Sequence, residues 1–172
     1  MKPVPRPLTV ERLKSLLFYN PKTGIFRWKV AQSRRNHVGD VAGSVHKRTG
    51  YRNITIDGIG YPAARLAWYY HYGRWPKGEA DHRDLNKLND RIKNLRDATS
   101  AQNKQNVGIK WSNTSGFKGV SRFSDSIARP WRAEIRVNGK RRYLGRFATA
   151  EEAAEAYNRE AKSLHGEFAR TR

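Results

Sequence analysis

Apolar positions in the first part of the chain recur with a helical period and then change to a period of two. In LTVERLKSLLFYN, Val10, Leu13, Leu16 and Leu17 share one helical face behind Thr9, a residue type suited to capping a helix N-terminus. The spacing predicts a short amphipathic helix there. The turn NPKTG leads into IFRWKV, which predicts a strand. Residues 31–50 (AQSRRNHVGDVAGSVHKRTG) are polar, basic and Gly-containing, and predict a loop or loose hairpin. YRNITID and YPAARLA around the turn GIG predict a hairpin, and LAWYYHYGRW a short helix packed in a core. In EADHRDLNKLNDRIKNLRDATSAQNKQN the pattern predicts a strand ending in Asp81-His82, a turn-rich loop DLNKLND, a second short strand RIKNLR, and a helix TSAQNKQN capped near Thr99 or Ser100.

After Asn106 the character changes. VGIKWSNTSG has no period and is rich in Gly, Ser and Asn, so it reads as a linker. FKGVSRF, WRAEIRVNGK and RRYLGRF are strand-like runs, with a tight turn at NGK. In the middle run Arg132, Glu134 and Arg136 fall on one face, and Trp131, Ala133, Ile135 and Val137 on the other. TAEEAAEAYNREAKSLHG predicts a helix with Thr149 and Glu152 as a capping box, a stripe of Ala153, Tyr157, Ala161 and Leu164, and Gly166 as its stop. The expected fold class is α+β, with a first domain over 1–106, a linker over 107–115 and a second domain over 116–172.

Charge narrows the partners. Lys and Arg number 35 against 15 acids, a net charge of +20. Residues 1–106 hold 21 against 8 and residues 107–172 hold 14 against 7, so both parts are basic. Such a field favours polyanions, because each neutralised phosphate releases condensed counterions. A merely soluble cationic protein, or one lying on anionic membrane, is the alternative on charge alone. The 11% aromatic content suits base-stacking and groove-filling surfaces better. Cysteine is absent, which excludes disulfides, thiolate zinc sites and a cysteine nucleophile. No run reaches the roughly 18 apolar residues of a membrane span. The start MKPVPRPLTV lacks the apolar core of a signal peptide, so the expectation is a soluble intracellular protein with no membrane partner.

Asp81-His82 is the candidate for chemistry. Phosphodiester hydrolysis needs a base to activate water on one side of phosphorus and a cation to stabilise the departing oxygen on the other. Neutral imidazole is the natural base near pH 7, and a carboxylate with an amide oxygen suits Mg²⁺, which keeps most of its waters. Adjacent residues on an extended chain point to opposite sides, so Asp81 and His82 could address the two sides of one phosphate. Read alone, the passage is a turn-rich Asn/Asp surface loop with an incidental His. His37, His46, His71 and His165 have no comparable constellation.

The string RLAWYYHYGRWPKGEADHRDLNKLNDRIKNLRDATSAQNKQN resembles the HNH homing endonucleases of bacteriophages, which have a ββα-metal active site. LTVERLKSLLFYNPKTGIFRWK resembles their N-terminal part, so the likeness covers about residues 8–106. The resemblance implies His82 as general base, Asp81 and Asn103 as ligands of one divalent ion (Mg²⁺, with Mn²⁺ able to substitute), and Asn94 as the central Asn that braces the loop. Three departures stand out: Ala64 where a His is common, Asp84-Leu85-Asn86 for the usual DGN, and Asn89-Asp90 for the usual NN pair.

FKGV, AEIR, YLGRF and TAEEAAEAYN resemble the Apetala-type, or ethylene-response-factor, DNA-binding domain over about 116–170. That family lays a three-stranded antiparallel sheet in the major groove with the helix behind it. The resemblance implies Lys118, Ser121, Phe123, Glu134, Arg136, Arg141 and Tyr143 as DNA contacts, with Arg132 on the same strand face. Arg122, Arg142 and Arg146 would add phosphate attraction. The plant pattern has Arg at Ser121 and Phe123 and Trp at Tyr143, so lower or different specificity is expected. The bland reading is a charged sheet face with no target.

The combined expectation is a metal-dependent, sequence-directed endonuclease of homing type, encoded by a phage and acting on double-stranded DNA in the bacterial cytoplasm. It would be a monomer or weak dimer with no small-molecule substrate. The alternative is a non-catalytic DNA-binding regulator with a degenerate HNH site, and RNA binding is a third possibility.

Overall fold

The structure, a computed structural model, describes residues 7–31, 36–109, 111–123, 128–137 and 139–169. Positions 32–35 of the expected basic loop, Lys110 of the expected linker and Asn138 of the expected NGK turn lie outside the described residues. Chain packing divides at Thr99/Ser100 into two units.

The first unit opens with helix α1 (Val10–Leu16), whose first turn is capped by Thr9 Oγ1 accepting from the Arg12 N–H at 3.1 Å. The helix stops before LFYN. Leu17–Asn20 is strand β1, antiparallel to β2 (Ile25–Trp28). Leu17 fits either period, but buried Leu17 and Tyr19 flank exposed Phe18, and the returning IFRW supplies a ladder partner. Strands β3 (Ser44–Val45), β4 (Arg52–Ile56) and β5 (Ile59–Pro62) form an antiparallel sheet in that order. The turn between β4 and β5 is Asp57-Gly58 rather than GIG. Both residues have positive φ, 49° and 81°, which gives the two-residue turn whose twist matches the strands, and Ile59 and Gly60 pair within β5.

Helix α2 (Ala63–Tyr72) lies in the core, as its composition predicts. Its Leu66 is fully buried together with Leu13, Leu17, Phe26, Ile54 and Ile56. Full burial of side chains of this size is worth about 1.5–3 kcal/mol each before chain entropy is subtracted. Gly73 ends α2 in the left-handed conformation. Strand β6 (Glu79–His82) then pairs antiparallel with β7 (Leu95–Ala98), placing His82 opposite Leu95 and Asp81 opposite Arg96. Of the expected strand RIKNLR, only Leu95-Arg96 is strand, and Ile92–Asn94 is a 3₁₀ turn.

The second unit comprises helix α3 (Ser100–Asn106), strands β8 (Val120–Arg122), β9 (Trp131–Val137) and β10 (Lys140–Phe147), and helix α4 (Ala150–His165). The sheet order is β10-β9-β8, all antiparallel. Ala133 and Ile135 of β9 face α4, where Ala153, Tyr157 and Ala161 are buried, while Leu164 of the expected stripe is largely exposed. Thr149 Oγ1 accepts from the Glu152 N–H at 3.2 Å, and Glu152 Oε2 accepts from the Ala148 N–H at 3.1 Å. Within the expected linker, Asn113 Oδ1 accepts from the Gly116 N–H at 2.8 Å and Ser115 Oγ donates to the Val120 carbonyl at 2.8 Å. Here the Asn and Ser side chains serve as turn hydrogen-bonders rather than as slack.

Candidate functional site

Asp81 and His82 end β6 inside the first unit, and neither is at the surface. His82 Nε2 lies 2.8 Å from Asp90 Oδ1, with both side chains 4% exposed. Arg96 Nε donates to Asp81 Oδ2 at 2.8 Å, with the two side chains 5% and 4% exposed. The opposite charges of Arg96 and Asp81, in contact at such low exposure, each offset the other's desolvation, which an unpaired buried ion could not. The Tyr51 ring, half-exposed at the end of the β3–β4 connection, lies 5.8 Å from the His82 ring, and Lys87 Nζ sits 5.1 Å from the Tyr51 centroid. Burial raises the Tyr51 hydroxyl above its ordinary range, and the nearby charges of Asp81 and Glu79 add to this.

The loop between β6 and the 3₁₀ turn is closed by Asn94. Its Nδ2 donates to Asp84 Oδ1 at 2.9 Å and to the Asn89 carbonyl at 2.8 Å, and its Oδ1 accepts from the Asp84 N–H at 3.2 Å. Its backbone carbonyl accepts from the Arg83 N–H at 2.9 Å. One side chain therefore joins the start of the loop to its end, which is why the chain turns at Asn94 instead of extending the strand. Asp84 also accepts from the Asn86 N–H at 2.9 Å and from Asn89 Nδ2 at 2.6 Å. Burial pushes the Asp84 carboxyl up, but the hydrogen bonds from Asn89, Asn94 and Asn86, with His82 nearby, outweigh it and hold the group below the usual carboxylate range.

The far end of the loop is anchored by the N-terminal hairpin. Tyr19 donates its hydroxyl to the Asp90 carbonyl at 2.7 Å, and Arg91 Nε donates to the Lys22 carbonyl at 2.7 Å. Gly24, at φ 77°, lies so close that an added Cβ would meet the Asp90 carbonyl carbon at 2.6 Å. β1 and β2 thus hold Asp90 in place, and Asp90 holds His82.

Asn103 is half-buried on α3, in the second unit. Among the described residues no group of three or more His, Asp or Glu side chains gathers as a metal cluster. Ala64, where the resembling proteins commonly have His, is buried on α2 and packs in the core.

In the second unit the sheet presents a polar face away from α4. Directly paired residues share a face, so Arg136 with Arg141, Glu134 with Tyr143, and Arg132 with both Ser121 and Arg146 lie together. Arg146 joins them because the β10 register shifts between Tyr143 and Gly145, leaving Leu144 as the extra residue that packs in the core. Gly145 holds φ 133°, which only glycine adopts readily. Arg132 lies 5.4 Å from the Phe123 ring and 5.7 Å from the Tyr143 ring, and pairs with Glu134. Arg146 lies 5.1 Å from Phe123. Three of the residues expected at DNA point elsewhere. Lys118 Nζ donates to the carbonyls of Gln105 and Val107 at 2.5 and 2.8 Å. Arg142 is paired across from core Ile135 and reaches Glu160 of α4 at 2.7 Å. Arg122 is paired across from Trp131 and lies 6.0 Å from its ring.

Asp90, Arg96, Tyr51 and Lys87 flank Asp81 and His82 without belonging to the expected set of site residues. Asp90 was noted only as a departure from an Asn pair, and a charged residue opposite Asp81 in the second strand was the signal for Arg96. Nothing in the local pattern of Tyr51 or Lys87 indicates that they flank His82.

Comparison with known proteins places this part of the chain in a family of endonuclease domains. A family model described as HNH endonuclease matches residues 61–105, which span α2, β6, the Asn94 loop, β7 and most of α3. The chain is 39% identical to protein 3.8 of Escherichia phage T7 over 106 residues, 61% of this chain and 85% of that protein. It is 40% identical to an uncharacterized HNH endonuclease of Acanthamoeba polyphaga mimivirus over 89 residues, 52% of this chain but 44% of that protein. It is 50% identical to ethylene-responsive transcription factor LEP of Arabidopsis thaliana over 56 residues, 30% of this chain and 26% of that protein. No helix among the described residues is long and apolar enough to cross a membrane. The chain belongs to the same family as phage T7 protein 3.8, and its residues 61–105 carry an HNH endonuclease domain.

Proposed function

We propose that the protein is a metal-dependent, sequence-directed endonuclease of homing type that hydrolyses phosphodiester bonds of double-stranded DNA in the bacterial host. The observation that carries this reading is the placement of Asp81 and His82 at the end of β6, beside a loop that Asn94 ties shut. His82 takes a proton from water, the water attacks phosphorus in line, and the 3′ oxygen departs. Asp81 and Asn103 would hold a divalent ion, Mg²⁺ or Mn²⁺, which when bound supplies positive charge beside the departing oxygen. Asn94 keeps the loop that follows Asp81 and His82 in one conformation.

The second unit is the reader, an Apetala-type domain whose sheet enters the major groove. Ser121, Phe123, Arg132, Glu134, Arg136, Arg141 and Tyr143 face the bases and Arg146 lies among them, while Lys118, Arg122 and Arg142, turned to other partners, add only to the overall positive charge. The net charge of +20 supports polyanion binding by both parts. Tethering raises the concentration of the nuclease near whatever the reader holds. One active site per chain favours nicking by a monomer.

Two observations favour DNA binding without cutting: Arg96 already places a cation on Asp81, and Ala64 stands where a polar group is common. Incubation with supercoiled phage or plasmid DNA separates the readings. Nicked circles in Mg²⁺ or Mn²⁺ but not in EDTA support the nuclease. Retarded bands without nicks in either ion, across a genomic library, select the binding protein.

A further inference from the structure

We propose that the turn between β3 and β4, residues 46–51, forms with Lys87 a backbone clamp for duplex DNA: Lys87 neutralises a phosphate of the cut strand next to the one attacked, and the Tyr51 hydroxyl donates a hydrogen bond to it. The inference rests on the reading of the first unit as a nuclease that acts at His82, and adds where the substrate strand lies on it.

The turn is held in one shape. The His46 N–H donates to the Tyr51 carbonyl and the Gly50 N–H to the His46 carbonyl, both at 2.8 Å. His46 Nδ1 lies 3.3 Å from the Thr49 backbone nitrogen and 3.1 Å from Thr49 Oγ1. Gly50 takes φ 77°, the left-handed conformation in which so short a turn can close. These bonds deliver the Tyr51 ring to a fixed place, 5.8 Å from the His82 ring, with 39% of the residue exposed. Among the described residues its hydroxyl donates to no acceptor. An aromatic body with a polar tip suits a sugar–phosphate edge, the ring against the sugar and the O–H at the phosphate.

Lys87 arrives from the loop that Asn94 closes. Its Nζ donates to the Thr49 carbonyl at 2.9 Å and lies 5.1 Å from the Tyr51 centroid. Its stem passes over Gly50, where an added Cβ would meet Cδ at 3.4 Å. A neutral donor would tie the two loops equally well, whereas an ammonium brings a full charge and three donors, of which the carbonyl takes one. No carboxylate pairs with Lys87 among the described residues. The cation is thus fixed in position and left without a counter-ion. Lys47 and Arg48 are exposed on the same turn, and residues 44–54 contain no acid. An anion is the ligand this surface fits, and a strand of duplex carries a phosphate about every 3.4 Å of its axis. With one phosphate at His82, a neighbouring phosphate comes within reach of a cation that stands one aromatic ring away.

The test measures binding of the full chain to a random-sequence DNA duplex in EDTA across a salt series, and kcat and KM for nicking of supercoiled DNA in Mg²⁺. The proteins are wild type, Lys87→Gln, Tyr51→Phe and Lys14→Gln, with thermal melting confirming that each is folded. Lys14, on α1 with its Nζ 5.3 Å from the Tyr70 centroid, is the control for a lysine seated on a ring. Lys87→Gln should lower the salt slope by about 1 and raise KM about tenfold, with kcat within about threefold. Tyr51→Phe should raise KM about 2–10-fold with the slope unchanged, and Lys14→Gln should alter neither. If Lys87→Gln keeps the wild-type slope and KM while the wild type nicks DNA, or if Lys14→Gln lowers the slope equally, the clamp is overturned and the nuclease reading stands. A Tyr51→Phe protein with wild-type KM would overturn the hydroxyl contact. A wild type that binds DNA but nicks it in no ion would overturn the nuclease reading, and with it the placement of the clamp beside a cut phosphate.

Discussion

The Nε of Arg96 donates to Oδ2 of Asp81 at 2.8 Å, across the ladder between β6 and β7, with both side chains almost wholly buried. Such a pair contributes little relative to an apolar pair of the same size, but removing one partner strands the other charge. Arg96→Met is expected to cost about 3–5 kcal/mol of stability. Adding Asp81→Asn to it should recover part of that loss. Urea unfolding of the two single variants and the double variant measures the coupling, and additive losses would contradict it.

Leu85 sits at φ 65°, in the left-handed region that costs a non-glycine residue about 1–2 kcal/mol. Leu85→Gly removes that strain and adds back about 0.5–1 kcal/mol of chain entropy. The expected outcome is a thermal midpoint equal to or above that of the wild type. Leu85→Val, β-branched in the same conformation, should fall below it. A Leu85→Gly protein that melts well below the Leu85→Val protein would show that the loop is held by the Leu side chain instead.

Asp84 gives the loop an acid limit. Its carboxyl is held below the usual range in the folded chain, so the unfolded chain binds its proton first as pH falls. The stabilisation is present above the unfolded value, near pH 4, and is lost as pH falls through the lower folded value. The gap in melting temperature between wild type and Asp84→Asn should therefore be widest above the unfolded carboxyl value, near pH 4, and narrow steadily as pH falls below it. A gap that does not change with pH would mean that the carboxylate charge plays no part.

Gly119 packs at φ 72° under the second sheet, where an added Cβ would meet the Tyr157 ring at 2.2 Å and the Glu134 carbonyl oxygen at 2.6 Å. The ring could shift, but the backbone oxygen cannot do so without disturbing β9. Gly119→Ala is expected to cost about 2–4 kcal/mol, combining overpacking with left-handed strain. Circular dichroism during denaturant unfolding reads the loss, and a change below 1 kcal/mol would contradict the packing account.

Much of this was legible in the chain because separate signals agreed. The β9 alternation, the Thr149 cap and the aromatic helix α2 each follow from residue type and spacing, and each stands in the structure. The misreadings share a physical origin. LFYN carries apolar residues that fit two periods, and only the partner strand decides between them. The Asp57-Gly58 turn was hidden by a Gly-Ile-Gly run that looked like the tighter break. Arg146, expected only to attract phosphate, is turned onto the face of Arg132 by the bulge at Gly145, which residue types alone do not reveal. The partners of His82 and Asp81 are tertiary: Asp90 and Arg96 lie eight and fifteen residues along the chain, and their pairing depends on the loop that Asn94 closes.

Phe123 is the shared plate of the polar sheet face proposed to read DNA, with Arg132 and Arg146 beside its ring. Each exposed contact of this kind is worth about 0.5–1 kcal/mol. Phe123→Ala should lower duplex DNA affinity several-fold and flatten the preference among sequences selected by the wild type. Equal loss on every sequence, with the preference intact, would assign Phe123 to general binding.

If His82 at the end of β6 is the base of a metal-dependent nuclease, its removal must abolish ion-dependent nicking. The direct measurement is the rate of nicking of supercoiled DNA by wild type and His82→Ala in Mg²⁺ and in EDTA, with circular dichroism confirming that both are folded. The account predicts ion-dependent nicks from the wild type at mapped positions, and a loss of about 10²–10⁴-fold in the variant. Equal nicking by the two folded proteins, or equal nicking in EDTA, would contradict it.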